Sequence, residues 1–281
     1  MVTAEPTSHR VHLIVGGYPV GNPAAHDHDY ARLRLLNILG EREHIHSTIA
    51  GDFEDIEKWL PGCELLITYT AGPLPDEGQL GVLEDWITKG GRWLALHGSS
   101  GGRARRVPDM LSLSGKPRRR VLRSPYHDVL GGFFINHAPL RRFDVDVVDT
   151  THPITAGVPT VFETIDEPYQ VEVFPGAKPL LTARLGPDKT PPGFGFVYDE
   201  DTALLPDGET YILGYVKESG LGAVCYFALG HNHAPTTQPQ SIVDESVAPG
   251  GITPPTVRGS WEKQAYIQLL RNAINWGLEP R

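Results

Sequence analysis

Histidines stand at three widely separated points of the sequence, each in the segment that follows a short apolar run. His26 and His28 follow the first run, His97 follows the fourth, and His231 and His233 follow the last. Such runs are typical of buried parallel strands, whose carboxyl ends meet at one edge of a sheet. We therefore predict that these imidazoles share one hollow, where His26 and His231 are candidate ligands of zinc or a similar divalent metal. The alternative is a structural hydrogen-bonding role for each ring.

Two adjacent carboxylates, Asp166 and Glu167, follow another short apolar run and precede Tyr169. Neighbouring side chains of an extended chain point to opposite sides, so one carboxylate can enter the hollow as an acid or base while the other braces the loop. We assign Glu167 to catalysis, and Asp166 and Tyr169 to substrate binding. A capped turn before Pro168 is the structural alternative.

A serine nucleophile is a second interpretation of the same region. Residues 98–102 match the G-x-S-x-G pattern of α/β hydrolases, and Ser100, Asp166 and His231 follow the order serine, acid, histidine. Pro108 and the arginines around it disfavour the helix that begins directly after such a serine. No cysteine lies near position 97, which excludes a thiol amidotransferase of this architecture.

The first hundred residues alternate apolar runs with helical patterns, which is typical of a parallel sheet covered by helices on both faces. Asp76 is a candidate cap of the third helix, and Gly90 and Gly91 end it. The predicted strands are residues 12–15, 45–49, 65–69 and 93–96, and the predicted helices are residues 29–39, 52–60 and 76–89.

Beyond residue 123 the chain becomes rich in strands separated by glycine and proline, which indicates antiparallel additions beside the sheet. A terminal helix is expected from Ser260, a candidate N-cap, to Trp276, after a long loop over residues 235–258. The predicted strands are residues 143–148, 161–165, 179–185, 211–216 and 223–229.

One segment, residues 99–123, has no periodic pattern and carries eight lysines or arginines against a single acid. A stretch of this kind is typical of a surface insertion. Either it is a solvated or subunit-facing loop, or it is a lid that recruits an anion.

The composition excludes several classes of protein. Among the 281 residues, 34 acids against 25 lysines and arginines give a net charge of −9, which argues against nucleic-acid and membrane partners. The longest apolar run is too short to span a bilayer, and residues 1–10 lack the apolar core of a secretory signal, so we expect a cytoplasmic protein. No Walker or dinucleotide motif is present, so no bound nucleotide is expected.

Seven short strings of the sequence form an ordered set. They are His26-Asp27, GRWLALHG at 91–98, GGF at 131–133 with His137, HPITAG at 152–157, DEPY at 166–169, LGH at 229–231 and NAINW at 272–276. Together they resemble the ThuA-like (trehalose-utilisation) family of the class I glutamine amidotransferase-like, flavodoxin-related superfamily. The resemblance implies a flavodoxin-like three-layer α/β fold with a mostly parallel central sheet and antiparallel additions. It covers residues 11–276 as a single domain, with the arginine-rich segment 99–123 as an insertion.

The resemblance also implies a function. It assigns His97 to the elbow where amidotransferase relatives keep a catalytic cysteine, and it suggests a substrate among sugars and their 3-keto glycosides. The expected enzyme is a lyase, hydrolase or isomerase of an oxidised sugar, with or without a divalent metal. The candidate catalytic residues are His97, Glu167, His231 and Asp27, and His137 joins the substrate-binding set.

The expected reaction begins at C2 of a 3-keto glycoside, where the neighbouring carbonyl acidifies the hydrogen. His97 or Glu167 is the candidate base, His26 and His231 stabilise the enolate, and Asp27 orients them. A serine hydrolase and a non-catalytic sugar-binding or regulatory protein are the alternative functions. The exposed arginines and the terminal helix leave room for a homodimer.

Overall fold

A computed structural model describes residues 8–17 and 26–279. Residues 1–7, part of the segment predicted to lack a secretory signal, lie outside the described residues. Within the described ranges, no helix has both the length and the apolar composition needed to cross a membrane.

The apolar runs of the sequence become strands, with boundaries close to those predicted. The strands are β1 (His9–Gly16), β2 (Ile45–Ala50), β3 (Leu65–Thr70), β4 (Arg92–Leu96), β5 (Ala104–Leu111), β6 (Pro117–Val121), β7 (Gly132–His137), β8 (Arg141–Val147), β9 (Val161–Asp166), β10 (Tyr169–Val173), β11 (Ala177–Arg184), β12 (Thr210–Ser219) and β13 (Gly222–Phe227). The α-helices are α1 (His28–Leu39), α2 (Ile56–Trp59), α3 (Glu77–Thr88), α4 (Pro125–Leu130) and α5 (Gln264–Leu278).

Nine strands form one sheet in the order β2-β1-β3-β4-β13-β12-β11-β8-β9. The strands from β2 to β13 pair in parallel, and those from β12 to β9 continue the sheet antiparallel. α1 and α5 contact each other. The right-handed crossovers from β1 to β2 and from β3 to β4 run in opposite directions along the sheet, so α1 and α3 lie on opposite faces of it. The predicted α/β fold is confirmed.

The order of the strands creates a crevice at one edge of the sheet. From β1 the chain moves outward to β2 and then returns to the other side of β1 to form β3. Loops after β1 and β3 therefore leave in opposite directions, which opens the crevice where ligands bind in sheets of this kind. The carboxyl ends of β4 and β13 continue the same edge.

Two predicted helices begin at other residues than expected. α2 covers only Ile56–Trp59, because Asp55 before it takes a left-handed φ of 61°. α5 begins at Gln264 and not at Ser260, because the Ser260 hydroxyl donates to the buried carboxylate of Asp166 and caps no helix. The tertiary hydrogen bond thus overrides the local capping signal.

The arginine-rich segment lies at the surface and has regular structure, which its lack of periodicity did not predict. β5 and β6 form a hairpin whose side chains are mostly exposed. The prediction missed α4 and the separate pair of strands β7 and β10. This pair holds the segment after Glu167 next to the edge of the main sheet that carries the crevice.

Candidate active site

Three imidazoles from distant parts of the chain meet at the carboxyl edge of the parallel strands. The ring centroids of His26 and His97 are 4.9 Å apart, those of His26 and His231 are 5.1 Å apart, and those of His97 and His231 are 5.8 Å apart. One ring nitrogen from each residue lies within 4.8 Å of the other two. The expectation that these rings share one hollow is confirmed, and we call this set the histidine cluster.

His97 occupies a sharp turn directly after β4. Its φ of 48° lies in the left-handed region, which a residue other than glycine adopts only at an energetic cost. A strained turn at the end of a strand is also the geometry of a nucleophile elbow. The ring is fully buried and stacks on Tyr169, with ring centroids 4.3 Å apart.

Glu167 extends its carboxylate into the middle of the histidines. Its two oxygens lie 3.2 Å from His97 Nε2, 3.1 Å from His231 Nδ1 and 3.6 Å from His137 Nδ1. The side-chain amide of Gln240 donates to the same carboxylate. Burial raises the pKa of Glu167, but the surrounding histidines outweigh burial and hold it well below the usual value. The carboxylate is therefore ionised at neutral pH.

Asp166 points to the opposite side of the chain and braces the loop that carries His231. One carboxylate oxygen accepts from the main-chain N–H groups of Glu167 and His231, at 2.9 and 3.0 Å. The other accepts from the Gly230 N–H at 2.8 Å and from the Ser260 hydroxyl. Since Asp166 is 0% exposed, the substrate-binding role predicted for it is corrected to a bracing role.

His26 is held in place by the residue that follows it. The main-chain N–H of Asp27 donates to the main-chain oxygen of Asn232 at 3.3 Å. The Asp27 carboxylate caps α1 by accepting from the Tyr30 N–H, and it pairs with Arg258 at 2.6 Å. Both oxygens of Asp27 are thus engaged, which fits the orienting role expected from the sequence.

The surroundings of His26 and His97 shift the pKa values of the two rings in opposite directions. Burial and the neighbouring rings of His97 and His231 lower the pKa of His26 well below its usual value, so this ring is neutral. Burial also lowers the pKa of His97, but Glu167 and Asp166 more than compensate and the net effect is a raised pKa. A neutral imidazole, a readily protonated one and an ionised carboxylate can together accept and return protons.

A cavity of about 450 Å³ opens onto the cluster, a size typical of small-molecule sites. Its wall includes His26, His137, Glu167, Tyr169 and His231. The β5–β6 hairpin and the loops at residues 193–196 and 238–241 enclose the rest. His137 and Tyr169, both predicted to bind substrate, thus lie where a ligand can touch them.

Sequence analysis missed two features of this cavity. Gln240, the amide partner of Glu167, lies in the long loop 235–258, which has no periodic pattern that singles out one residue. The aromatic wall formed by Phe134, Phe194 and Phe196 comes from two segments that meet only in the folded chain. Isolated phenylalanines in a sequence are more often part of the core.

The serine-hydrolase alternative gains no support from the position of Ser100. This residue is fully buried, and its hydroxyl lies 2.7 Å from the hydroxyl of Tyr226 and 3.3 Å from the main-chain oxygen of His97. In the part of the chain that the structure describes, no histidine ring bonds to it. The segment that follows forms a hairpin in place of the helix that an α/β hydrolase requires.

Known proteins similar to this chain agree with the architecture. A ThuA-like protein from Bacteroides uniformis has 16% identity and a TM-score of 0.61, over 99% of this chain and 94% of its own. A second, from Parabacteroides merdae, has 16% identity and a TM-score of 0.57, over 97% and 91%. No curated protein matches the sequence. The model of the ThuA family, described as trehalose utilisation, matches residues 20–244, most of the chain, and the protein belongs to this family.

Proposed function

We propose that this ThuA-family protein is an enzyme that processes a sugar or a 3-keto glycoside by acid and base chemistry, assisted by a divalent metal such as zinc. The proposal depends on one observation: each ring of the cluster keeps a buried nitrogen that makes no well-aligned hydrogen bond, and two of these nitrogens face only the Glu167 carboxylate, at 3.1–3.2 Å. These atoms are Nδ1 of His26, Nε2 of His97 and Nδ1 of His231. Unpaired buried nitrogens also occur on His12 and His28, but those of the cluster lie within 4.8 Å of one another.

The free nitrogen of His97 is set by the bond that its other nitrogen makes. Nδ1 lies 2.7 Å from the main-chain oxygen of Ala228. Because a carbonyl oxygen can only accept, Nδ1 must carry a hydrogen. In the neutral ring, Nε2 then holds a lone pair, and this lone pair faces Glu167.

A chain of two histidines sets the free nitrogen of His231 in the same way. Nε2 of His233 lies 2.8 Å from the oxygen of Pro254 and must donate to it, so Nδ1 of His233 is an acceptor when this ring is neutral. Burial lowers the pKa of His233, which favours the neutral ring. Nε2 of His231, at 3.0 Å from that acceptor, carries the hydrogen. The lone pair of His231 is therefore on Nδ1, which also faces Glu167.

Two lone pairs and a negative carboxylate repel one another at these distances of 3.1–3.2 Å. A cation between them removes the repulsion, and it is either a proton on a ring or a metal ion. A metal ion bound there would also use Nδ1 of His26. The three imidazoles alone are a donor set that zinc and similar divalent metals accept, and they leave Glu167 unbound and able to act as a base.

The hydrogen bonds made by the second ring nitrogens of His97 and His231 match those of metal-binding histidines. Imidazole ligands usually donate their second nitrogen to a carbonyl or another acceptor, as His97 does to Ala228 and His231 does to His233. Zinc–nitrogen bonds of about 2.0–2.1 Å require ligand nitrogens closer together than the 4.8 Å spread of this cluster. The rings would therefore have to move closer together to hold zinc.

Glu167 is the base in the proposed reaction, because it is ionised and lies on the cavity wall, whereas His97 does not reach that wall. It removes the proton from C2 of the 3-keto sugar, and the electron pair passes to the C3 oxygen as an enolate. Return of that pair breaks the bond between C1 and the departing oxygen. His137, 3.6 Å from Glu167, lies on the wall and protonates this oxygen. A bound metal would supply stabilisation of the enolate oxygen.

The test uses a p-nitrophenyl glycoside of 3-keto-glucose, whose elimination releases coloured p-nitrophenol. We expect turnover by the native protein and a loss of roughly 10²- to 10⁴-fold in Glu167→Gln, the range for removal of a general base. The matched control Glu172→Gln changes a carboxylate on β10 that does not line the cavity, and it should keep native turnover.

Equal turnover by Glu167→Gln and the native protein would overturn the assignment of the base. If the native protein gives no product while the same glycoside raises its melting temperature, the site binds sugar without catalysis.

A further inference from the structure

We infer that the natural substrate carries an anionic group, a carboxylate or a phosphate, which Arg119 binds inside the cavity. The inference rests on the proposed function, because it names the substrate class of the same site. It concerns recognition of the substrate and needs neither the metal nor the elimination step.

Arg119 lies on β6 and lines the cavity, half-buried. The arginines on either side of it are engaged: Arg118 donates to two main-chain oxygens, and Arg120 pairs with Asp199. For the Arg119 side chain, the described residues supply no hydrogen bond and no ion pair. Its guanidinium lies 5.5 Å from the ring centroid of Phe196, which is within the range of a cation–π contact.

The donors of a half-buried guanidinium that has no partner in the described residues are available to a ligand. Arginine presents five N–H donors in a planar fork that matches the two oxygens of a carboxylate or phosphate. The ring of Phe196 limits the positions of that fork, so fewer conformations are lost when an anion binds. A neutral sugar would leave the charge without a counter-ion.

The surroundings of the cavity favour an anion as well. Among the described residues of the wall, Arg119 is the one permanent cation and Glu167 the one carboxylate. Arg103, Arg105 and Arg106 are exposed at the start of the same hairpin, and no ion pair in the described ranges engages them. On a chain with a net charge of −9, this local positive field draws anions to the hairpin. Of the two sequence interpretations of this segment, the geometry favours the anion-recruiting lid.

The test compares binding of glucose, glucuronate and glucose 6-phosphate to metal-stripped protein by calorimetry. Catalysis is not needed, so failure of the proposed reaction does not affect the result. We expect the carboxylate sugar or the phosphate sugar to bind roughly tenfold or more tightly than glucose, as one charge-assisted hydrogen bond implies. The tighter of the two identifies the anion.

Three variants locate the effect. Arg119→Gln should abolish the preference for the anionic sugar, and Arg119→Lys should keep part of it because the charge remains. Arg120→Gln is the matched control, since its partner Asp199 lies outside the cavity wall, and it should keep the full preference. The proposal is overturned if neither anionic sugar binds more tightly than glucose, or if Arg119→Gln retains the preference.

Discussion

Replacement of Asp166 by asparagine tests how the active-site loop is held. The carboxylate accepts four hydrogen bonds, two at each oxygen, from Glu167, His231, Gly230 and Ser260. Asparagine turns one oxygen into an NH₂ group. If this group faces the Glu167 and His231 N–H groups, two hydrogen bonds are lost; if it faces Gly230 and Ser260, at least one is lost, because the serine hydroxyl can accept. The segment that carries His231 then loses part of its attachment.

The expected cost follows from these bonds. Hydrogen bonds to a charged acceptor contribute roughly 1.5–3 kcal/mol each, so the loss of one or two removes roughly 1.5–6 kcal/mol. Burial raises the pKa of Asp166, because it disfavours the charged carboxylate. Part of the hydrogen-bond energy therefore offsets the cost of burying that charge. We expect the free energy of unfolding to fall by about 2–4 kcal/mol.

Urea unfolding of Asp166→Asn, followed by circular dichroism, measures this loss. Ser260→Ala removes one of the four bonds and should cost about 1–2 kcal/mol, which keeps the test valid if the asparagine variant does not fold. The control Asp207→Asn changes an exposed carboxylate with a similar set of bonds and should have a much smaller effect. Native stability and native turnover in Asp166→Asn would refute the bracing role.

Three further predictions concern single residues. Burial lowers the pKa of His12 from 6.5 to about 4. The contribution of the neutral ring to stability is therefore full above pH 6.5 and is lost as the pH falls towards 4. Between pH 7 and 5 the free energy of unfolding, measured in urea, should fall by about 2 kcal/mol less in His12→Gln than in the native protein. Ser100→Ala should keep native turnover and should react with a phosphonate probe to the same extent as the native protein, because the Ser100 hydroxyl is hydrogen-bonded to Tyr226. Loss of turnover would support the serine mechanism. Arg258→Gln, which breaks the 2.6 Å pair with Asp27, should let a chelator remove metal faster while the melting temperature changes little, and unchanged metal release would contradict the orienting role.

The meeting of the histidines was predictable because it follows from topology. Apolar runs that alternate with helices require a parallel sheet, and the segments after its strands share one edge. His26, His97 and His231 could be assigned to that edge without coordinates. The opposite directions of Asp166 and Glu167 were predictable from strand geometry, although the sequence gives no sign of which one enters the cavity.

Features that depend on long-range contacts were not predictable. Ser260 has the residue type of an N-cap, but its hydrogen bond to a carboxylate far away in the sequence decides its position. The role of His233 depends on the oxygen of Pro254, and that of Gln240 depends on how a patternless loop lies over Glu167. These partners are separated in sequence, and no periodicity relates them.

The most direct test of the central claim is the metal content of the protein purified without chelators. We predict about one divalent ion per chain in the native protein, and none in the double variant His26→Gln, His231→Gln. His28→Gln, which changes the other histidine of the same motif and leaves the cluster intact, should keep the ion. A native protein that contains no metal, and takes up none when titrated with zinc, would contradict the claim that the histidine cluster is a metal site.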